Sequence, residues 1–112
     1  MNLNHLLESA RSETLWSTPD LGRAEVRHVI ASDLMSDVLM VDIDHPLLLT
    51  SLVSDQALRT AHVVGAAGVL IANGKTPPDD MLDLARELGI PLARTPLSKF
   101  DAAVALGKAL GK

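Results

Sequence analysis

The stretch from residue 47 to residue 74, "LLLTSLVSDQALRTAHVVGAAGVLIANG", places helical periodicity between two short apolar runs. The runs "LLLTSL" and "GVLIA" have the length of strands and lack alternation, which is typical of strands buried on both faces of a sheet. Between them, Ala57, Leu58, Ala61 and Val64 recur at helical spacing, and Gly65 follows as a helix-ending residue. The stretch therefore predicts a strand–helix–strand unit, from which parallel sheets are built.

The same alternation continues towards the carboxyl terminus. The segment "TPPDDMLDLARELG" predicts a helix that Thr76 caps and Gly89 ends. "IPLARTP" predicts the next strand, and "SKFDAAVALGKALG" predicts a final helix capped by Ser98. Helical spacing predicts that the inward face of this last helix comprises Phe100, Val104, Gly107 and Leu110.

The first forty residues are less regular. "NHLLESA" predicts a short helix capped by Asn2 or Asn4, and "ETLWS" and "EVRHVIAS" each predict a strand. We expect an edge strand or mixed strand directions in this part. The whole pattern predicts a single α/β domain over residues 1–112, with a mainly parallel sheet and helices on both faces.

Composition excludes several functional classes. The net charge is -4, and the basic residues form no stripe that could follow a phosphate backbone. The chain has one Phe, one Trp and no Tyr, which leaves little aromatic surface for stacking bases. We therefore expect no nucleic-acid partner. The absence of Cys excludes thiolate catalysis and cysteine-ligated metals. No apolar run approaches the ~20 residues of a membrane span, and the first residues lack a secretion pattern, so we expect a cytoplasmic protein without a membrane partner.

A Ser-Asp pair occurs twice in "ASDLMSDV", residues 31–38. On a helix, this spacing would place Asp33 and Asp37 on one face, where they could contact a ligand or a partner together with Ser32 and Ser36. The alternative is that these residues cap short helices and form turns, as Ser and Asp commonly do. Both interpretations remain open from the sequence.

Small polar residues follow the predicted strands. Because parallel strands bind ligands outside their carboxyl ends, a small anionic ligand could contact this edge of the sheet. The candidate contacts are Thr50, Asn73, Gly74, Lys75 and Thr95. The alternative is that these residues serve the turns that follow the strands. "ANGK" lacks the first glycine of a Walker loop, so ATP hydrolysis there is not expected.

No catalytic or metal-binding pattern stands out. The four histidines are at least seventeen positions apart, and "DIDHP" offers Asp42, Asp44 and His45 in a segment that is also typical of a solvated turn. No Ser, His and Asp set is specified by spacing. We therefore expect a protein that is not an enzyme and that has no metal and no cofactor.

The motif "SDLMSDV", the strand "LLLTS" and the segment from residue 63 to residue 103, in this order, resemble the DRTGG domain of the small stand-alone type. The resemblance covers about Val26 to Leu110 and extends to the N-terminal domain of HPr kinase/phosphorylase. Two motifs depart from the family pattern. "LVSDQ", residues 52–56, stands where the family has Asp-Arg-Thr, and Ala72-Asn73-Gly74 stands where it has Thr-Gly-Gly.

The resemblance implies an α/β fold like that N-terminal domain and a role in regulation and subunit association. The leading hypothesis is a non-enzymatic regulatory or interaction module that self-associates as a homodimer or higher homo-oligomer, with a separate protein partner as a further expectation. Stand-alone members often occur near hydrogenase genes, which implies a link to redox metabolism. The second hypothesis is a sensor that binds a nucleotide or phosphometabolite at the strand-end crevice.

Overall fold

The computed structural model describes residues 1–112 and contains six helices and five strands. The helices are α1 (Leu3–Ser9), α2 (Pro19–Gly22), α3 (Met35–Val38), α4 (Asp55–Val64), α5 (Asp79–Leu88) and α6 (Lys99–Ala109). The strands are β1 (Glu13–Trp16), β2 (Val29–Ala31), β3 (Leu47–Thr50), β4 (Gly68–Ile71) and β5 (Leu92–Arg94).

The five strands form one sheet in the order β1-β5-β4-β3-β2. The pairs β2–β3, β3–β4 and β4–β5 are parallel, and β1 is antiparallel to β5. The predicted mainly parallel sheet is confirmed, and the irregular first part of the chain supplies both edge strands. The antiparallel direction of β1 places its first residue, Glu13, beside the last residue of β5, Arg94.

Two hydrophobic clusters cover the two faces of the sheet, which confirms the predicted helices on both faces. α1 and α6 pack on the first face, which includes Leu47 and Leu49 of β3. α3, α4 and α5 pack on the second face, which includes Leu48. All four residues of β3 are buried, because adjacent side chains of a central strand point into opposite helix layers.

Glycine ends two helices as predicted. Gly65 after α4 and Gly89 after α5 adopt left-handed conformations with φ of 69° and 71°. The predicted start of α5 is wrong, because the helix begins at Asp79 and its N-cap is Pro78. The residue before a proline is disfavoured in the helical conformation, so Pro77 cannot open a helix that continues into Pro78.

The predicted inward face of α6 is wrong at Phe100 and Val104, whereas Leu110 packs against the first cluster as predicted. Phe100 is 75% exposed and Val104 is 38% exposed, whereas Ala102 and Leu106 are completely buried. Small residues allow this helix to lie close to the sheet, and apolar residues all round it make its periodicity ambiguous. None of the helices is both long and apolar enough to cross a membrane.

Candidate functional site

After β4 and β5 the chain continues to opposite faces of the sheet. After β4 the chain continues to α5 on the second face, and after β5 it continues to α6 on the first face. Neighbouring parallel strands that diverge in this way leave a crevice outside their carboxyl ends, where ligands bind in open α/β sheets. The carboxyl edge of β4 and β5 is therefore the candidate functional site.

Asp33 joins three elements at this edge. Its Oδ1 accepts hydrogen bonds from the hydroxyl of Thr50 at 3.0 Å and from the backbone N–H of Ser51 at 2.7 Å. Its Oδ2 accepts a hydrogen bond from Nζ of Lys99 at 3.0 Å. Asp33 thus connects the loop after β2 to the end of β3 and to the first turn of α6.

These contacts change the pKa of Asp33. Burial raises it, but the hydrogen bond from Ser51, the ammonium group of Lys99 and the hydroxyl of Thr50 lower it by more and bring it from 3.8 to about 2. The carboxylate is therefore the form that holds these elements together. Because the side chain of Asp33 is 40% exposed, solvent screens its ion pair with Lys99.

Replacing Asp33 by Asn is expected to reduce the pH dependence of stability in acid. The pKa of Asp33 is lower in the folded state, so its contribution is present above pH ~5 and is lost as the pH falls towards about 2. After discounting for solvent exposure, we expect this contribution to be about 1 kcal/mol. Urea denaturation at pH 7 and at low pH measures it.

Asp37→Asn is the matched control, because Asp37 is exposed and belongs to the same repeated motif. It is expected to change the free energy of unfolding by less than about 0.5 kcal/mol at either pH. Equal effects of the two variants on the pH dependence would contradict the role assigned to Asp33.

The two halves of the Ser-Asp repeat have different surroundings. Ser32 forms a local turn, in which its hydroxyl oxygen accepts a hydrogen bond from the N–H of Leu34 at 3.1 Å. Asp33 precedes α3, which begins at Met35, so the two aspartates do not share a helix face. Ser36 and Asp37 lie on α3, are exposed and make no side-chain hydrogen bond or ion pair. The structure therefore brings Ser32 and Asp33 to the edge of the sheet without Ser36 and Asp37.

The turn after β4 is anchored to the segment after β5. Asn73 and Gly74 both have φ of 67°, and their N–H groups donate to the carbonyl oxygens of Leu97 and Thr95 at 2.7 and 2.9 Å. These two amides are therefore not free to bind an anion. The side chain of Asn73 donates to the hydroxyl of Ser51 at 2.9 Å. The Asn-Gly pair thus serves the turn that its composition predicts.

Thr95 connects this edge to the amino-terminal part of the chain. Its side chain is completely buried, and its hydroxyl donates to the carbonyl oxygen of Ala10 at 2.6 Å. The same hydroxyl accepts a hydrogen bond from the N–H of Leu97 at 3.2 Å. The bond to Ala10 holds the next residue, Arg11, beside the end of β5.

An open cup of about 310 Å³ lies between the start of β1 and the ends of β4 and β5. Apart from the ring of Pro96, its lining has no aliphatic or aromatic side chain. The lining residues are Arg11, Ser12, Glu13, Gly74, Arg94, Thr95 and Pro96. We call this feature the arginine cup.

The cations at the arginine cup are incompletely neutralised. The side chain of Arg11 makes no hydrogen bond or ion pair, and its backbone has the uncommon φ of 55°. Arg94 contacts the hydroxyl of Thr76 through Nη1, and its Nη2 lies 3.8 Å from Oε2 of Glu13, beyond hydrogen-bonding distance. Lys75 does not line the cup, since its Nζ donates to the carbonyl oxygen of Ser51 after β3 at 2.9 Å.

The sequence prediction of this site was incomplete. It named Lys75 and Thr95 but missed Arg94, although the position of Arg94 at the end of a parallel strand was a usable signal. It also missed Arg11, because only the antiparallel pairing of β1 with β5 brings the α1–β1 connection to this edge. Lys99, which follows the correctly predicted cap Ser98 and pairs with Asp33 outside the cup, was also not predicted.

No group of three or more His, Asp or Glu side chains is arranged to hold a metal ion. The segment "DIDHP" lies at the amino ends of the strands and not at the carboxyl edge. There, Asp42, Asp44 and His45 line a separate groove of about 570 Å³. This groove also contains the aliphatic side chains of Leu39, Val41, Ile43, Val63 and Val64.

The comparison with solved structures identifies the fold. The chain superposes with a TM-score of 0.72 on the crystal structure of the CBS and DRTGG domains of the regulatory region of Clostridium perfringens pyrophosphatase, complexed with its activator diadenosine tetraphosphate. The fold is DRTGG-like. The match covers 94% of this chain and 45% of that chain at 15% sequence identity. No family model and no curated protein matches the sequence.

Proposed function

We propose that this DRTGG-like domain is a non-enzymatic regulatory module that binds a small anionic ligand, a nucleotide or phosphometabolite, at the carboxyl edge of its sheet. The arginine cup carries this proposal, because it places Arg11 and Arg94 around an open volume at the point where β4 and β5 diverge. The similar pyrophosphatase structure contains a regulatory region with a bound nucleotide activator, which supports a ligand of this class.

The charge of the cup favours an anion, although the whole chain has a net charge of -4. Two arginines, Arg11 and Arg94, and one acidic residue, Glu13, line the cup. Acidic residues in the first turns of α4, α5 and α6 lie at the same edge of the sheet, but none of them lines the cup. An anion bound there would meet guanidinium donors that have few competing protein acceptors.

A thermal-shift screen of the full chain with nucleotides and sugar phosphates tests this proposal. A ligand present at ~100 times its dissociation constant is expected to stabilise the fold by about 2.7 kcal/mol, which raises Tm by roughly 10 °C for a domain of this size. The corresponding nucleosides and sugars without phosphate are the controls. If Tm does not change across all the phosphate compounds, the sensor function is wrong.

A second candidate function is self-association through an apolar surface between α3 and α4. We define this surface by Leu39, Met40 and Val63, which are 52%, 83% and 72% exposed. Exposed aliphatic side chains that cluster beside a groove are typical of protein interfaces. In this form the module acts as a homodimer. The fold offers no feature that supports the link to redox metabolism implied by the family resemblance.

Light scattering from micromolar to millimolar concentration tests the self-association. We expect the wild-type chain to exceed its monomer mass of 11.9 kDa and Val63→Glu to remain a monomer, because a charge at this surface opposes its burial. Val104→Glu, the same change on α6, is expected to leave the assembly unchanged. A wild-type mass of 11.9 kDa at every concentration would exclude the homodimer.

A further inference from the structure

We infer that the arginine cup recognises the phosphate chain of its ligand and makes no contact with a base. This inference rests on the proposed function and names the part of the ligand that is bound. The cup is lined by Ser, Thr, Gly, Pro and charged residues, so it offers guanidinium donors but no aromatic ring on which a base could stack.

The two arginines suit phosphate oxygens. A guanidinium group is planar and presents paired N–H donors that match two oxygens of a phosphate. Arg11 has all its side-chain donors free, and Arg94 uses one nitrogen for the hydroxyl of Thr76. The volume of about 310 Å³ is sufficient for a diphosphate or triphosphate group.

Glu13 affects how much negative charge a ligand needs in order to bind at the cup. Glu13 lines the cup, and its carboxylate lies 3.8 Å from the guanidinium group of Arg94. This carboxylate therefore repels an incoming anion and competes with it for Arg94. A ligand with a single negative charge gains little against this carboxylate, whereas a diphosphate can displace it from Arg94. Glu13 therefore lowers the affinity of the cup for anions, and a ligand must offer enough negative charge to bind despite it.

The exposed aromatic side chain of Phe100 is the alternative contact for a base. It lies in the first turn of α6, one residue after Lys99, and is 75% exposed, but it does not line the cup. A nucleotide that reached out of the cup could stack on this ring. The inference predicts that Phe100 does not contribute to binding, which Phe100→Ala tests directly.

Calorimetric titration of the full chain with pyrophosphate, ADP, CDP, inorganic phosphate and adenosine tests the inference. We expect pyrophosphate, ADP and CDP to bind with dissociation constants within about 3-fold of one another, because they share the group that is recognised. We expect inorganic phosphate to bind at least about 10-fold more weakly and adenosine not to bind. Glu13→Gln is expected to tighten pyrophosphate binding by about 3- to 10-fold, and Phe100→Ala to leave ADP binding unchanged.

The outcomes separate this inference from the proposed function. If ADP binds and pyrophosphate does not, or if Phe100→Ala weakens ADP binding about 10-fold, the base is recognised and the inference is wrong while the sensor function stands. If Glu13→Gln does not change the affinity for pyrophosphate, the role of Glu13 is wrong. If none of the phosphate compounds binds, the sensor function fails and the inference fails with it.

Discussion

Replacing Thr95 by Val is expected to lower the free energy of unfolding by about 1–3 kcal/mol, because one buried and one partly buried backbone group lose their hydrogen-bond partner. The hydroxyl of Thr95 donates to the carbonyl oxygen of Ala10 and accepts from the N–H of Leu97, and the side chain is completely buried. Val has nearly the same shape but cannot make either bond. Chemical denaturation of the purified variant measures the change.

Thr14→Val is the matched control, because Thr14 lies on β1, is exposed and makes no side-chain hydrogen bond. We expect it to change stability by less than about 0.5 kcal/mol. Thr95→Val should also weaken ligand binding, since the bond to Ala10 positions Arg11 beside β5. Equal stability of the two variants would show that Thr95 does not hold the amino-terminal segment in place.

Removing the arginines of the cup is expected to give the largest functional effect. Arg11→Gln should weaken pyrophosphate binding by about 10-fold, which corresponds to the loss of a charged hydrogen bond of about 1.5 kcal/mol. The double change Arg11→Gln with Arg94→Gln should weaken it by about 100-fold or more. Because Arg11 is exposed and its side chain makes no hydrogen bond or ion pair, its substitution should leave the free energy of unfolding unchanged.

Arg59→Gln controls for the general loss of a positive charge. Arg59 is exposed on α4, does not line the cup and has no ion pair, so its substitution should not change the affinity for pyrophosphate beyond about 2-fold. If Arg59→Gln weakens binding as much as Arg11→Gln, the attraction is a property of the whole surface and not of the cup.

The sequence predicts the sheet better than it predicts the helix faces. The runs "LLLTSL" and "GVLIA" are buried on both sides, so their composition alone indicates central parallel strands, and β3 and β4 are found there. The last helix is different, because Phe100 and Val104 are apolar but exposed while Ala102 and Leu106 are buried. When apolar residues surround a helix, their spacing alone does not show which face is buried.

The site was only partly predictable for a physical reason. The end of each parallel strand can be located from the sequence, so Asp33, Thr50 and Lys75 could be assigned to one edge. The position of Arg11 depends on β1 running antiparallel to β5, a pairing between distant parts of the chain that no local pattern specifies. The two arginines reach this edge from the α1–β1 connection and from β5.

The Asn-Gly turn lies where the sequence predicts a ligand contact, but its backbone amides form hydrogen bonds within the protein. Asn73 and Gly74 lie at the predicted edge, but their amides are hydrogen-bonded to the segment after β5. Thr50 likewise donates to Asp33, so its hydroxyl is used within the protein. Most of the small polar residues that follow the strands are therefore hydrogen-bonded within the protein, whereas the side chain of Arg11 makes no such bond.

The position of the ligand is measured most directly by following the backbone amide signals of the ¹⁵N-labelled chain by NMR during titration with pyrophosphate. The proposed site predicts that the largest changes occur at Arg11 to Glu13, at Gly74 to Thr76 and at Arg94 and Thr95, and that they are lost in the double variant of Arg11 and Arg94. Changes centred on the groove around Asp42 and His45, or no changes at saturating pyrophosphate, would contradict the arginine cup as the binding site.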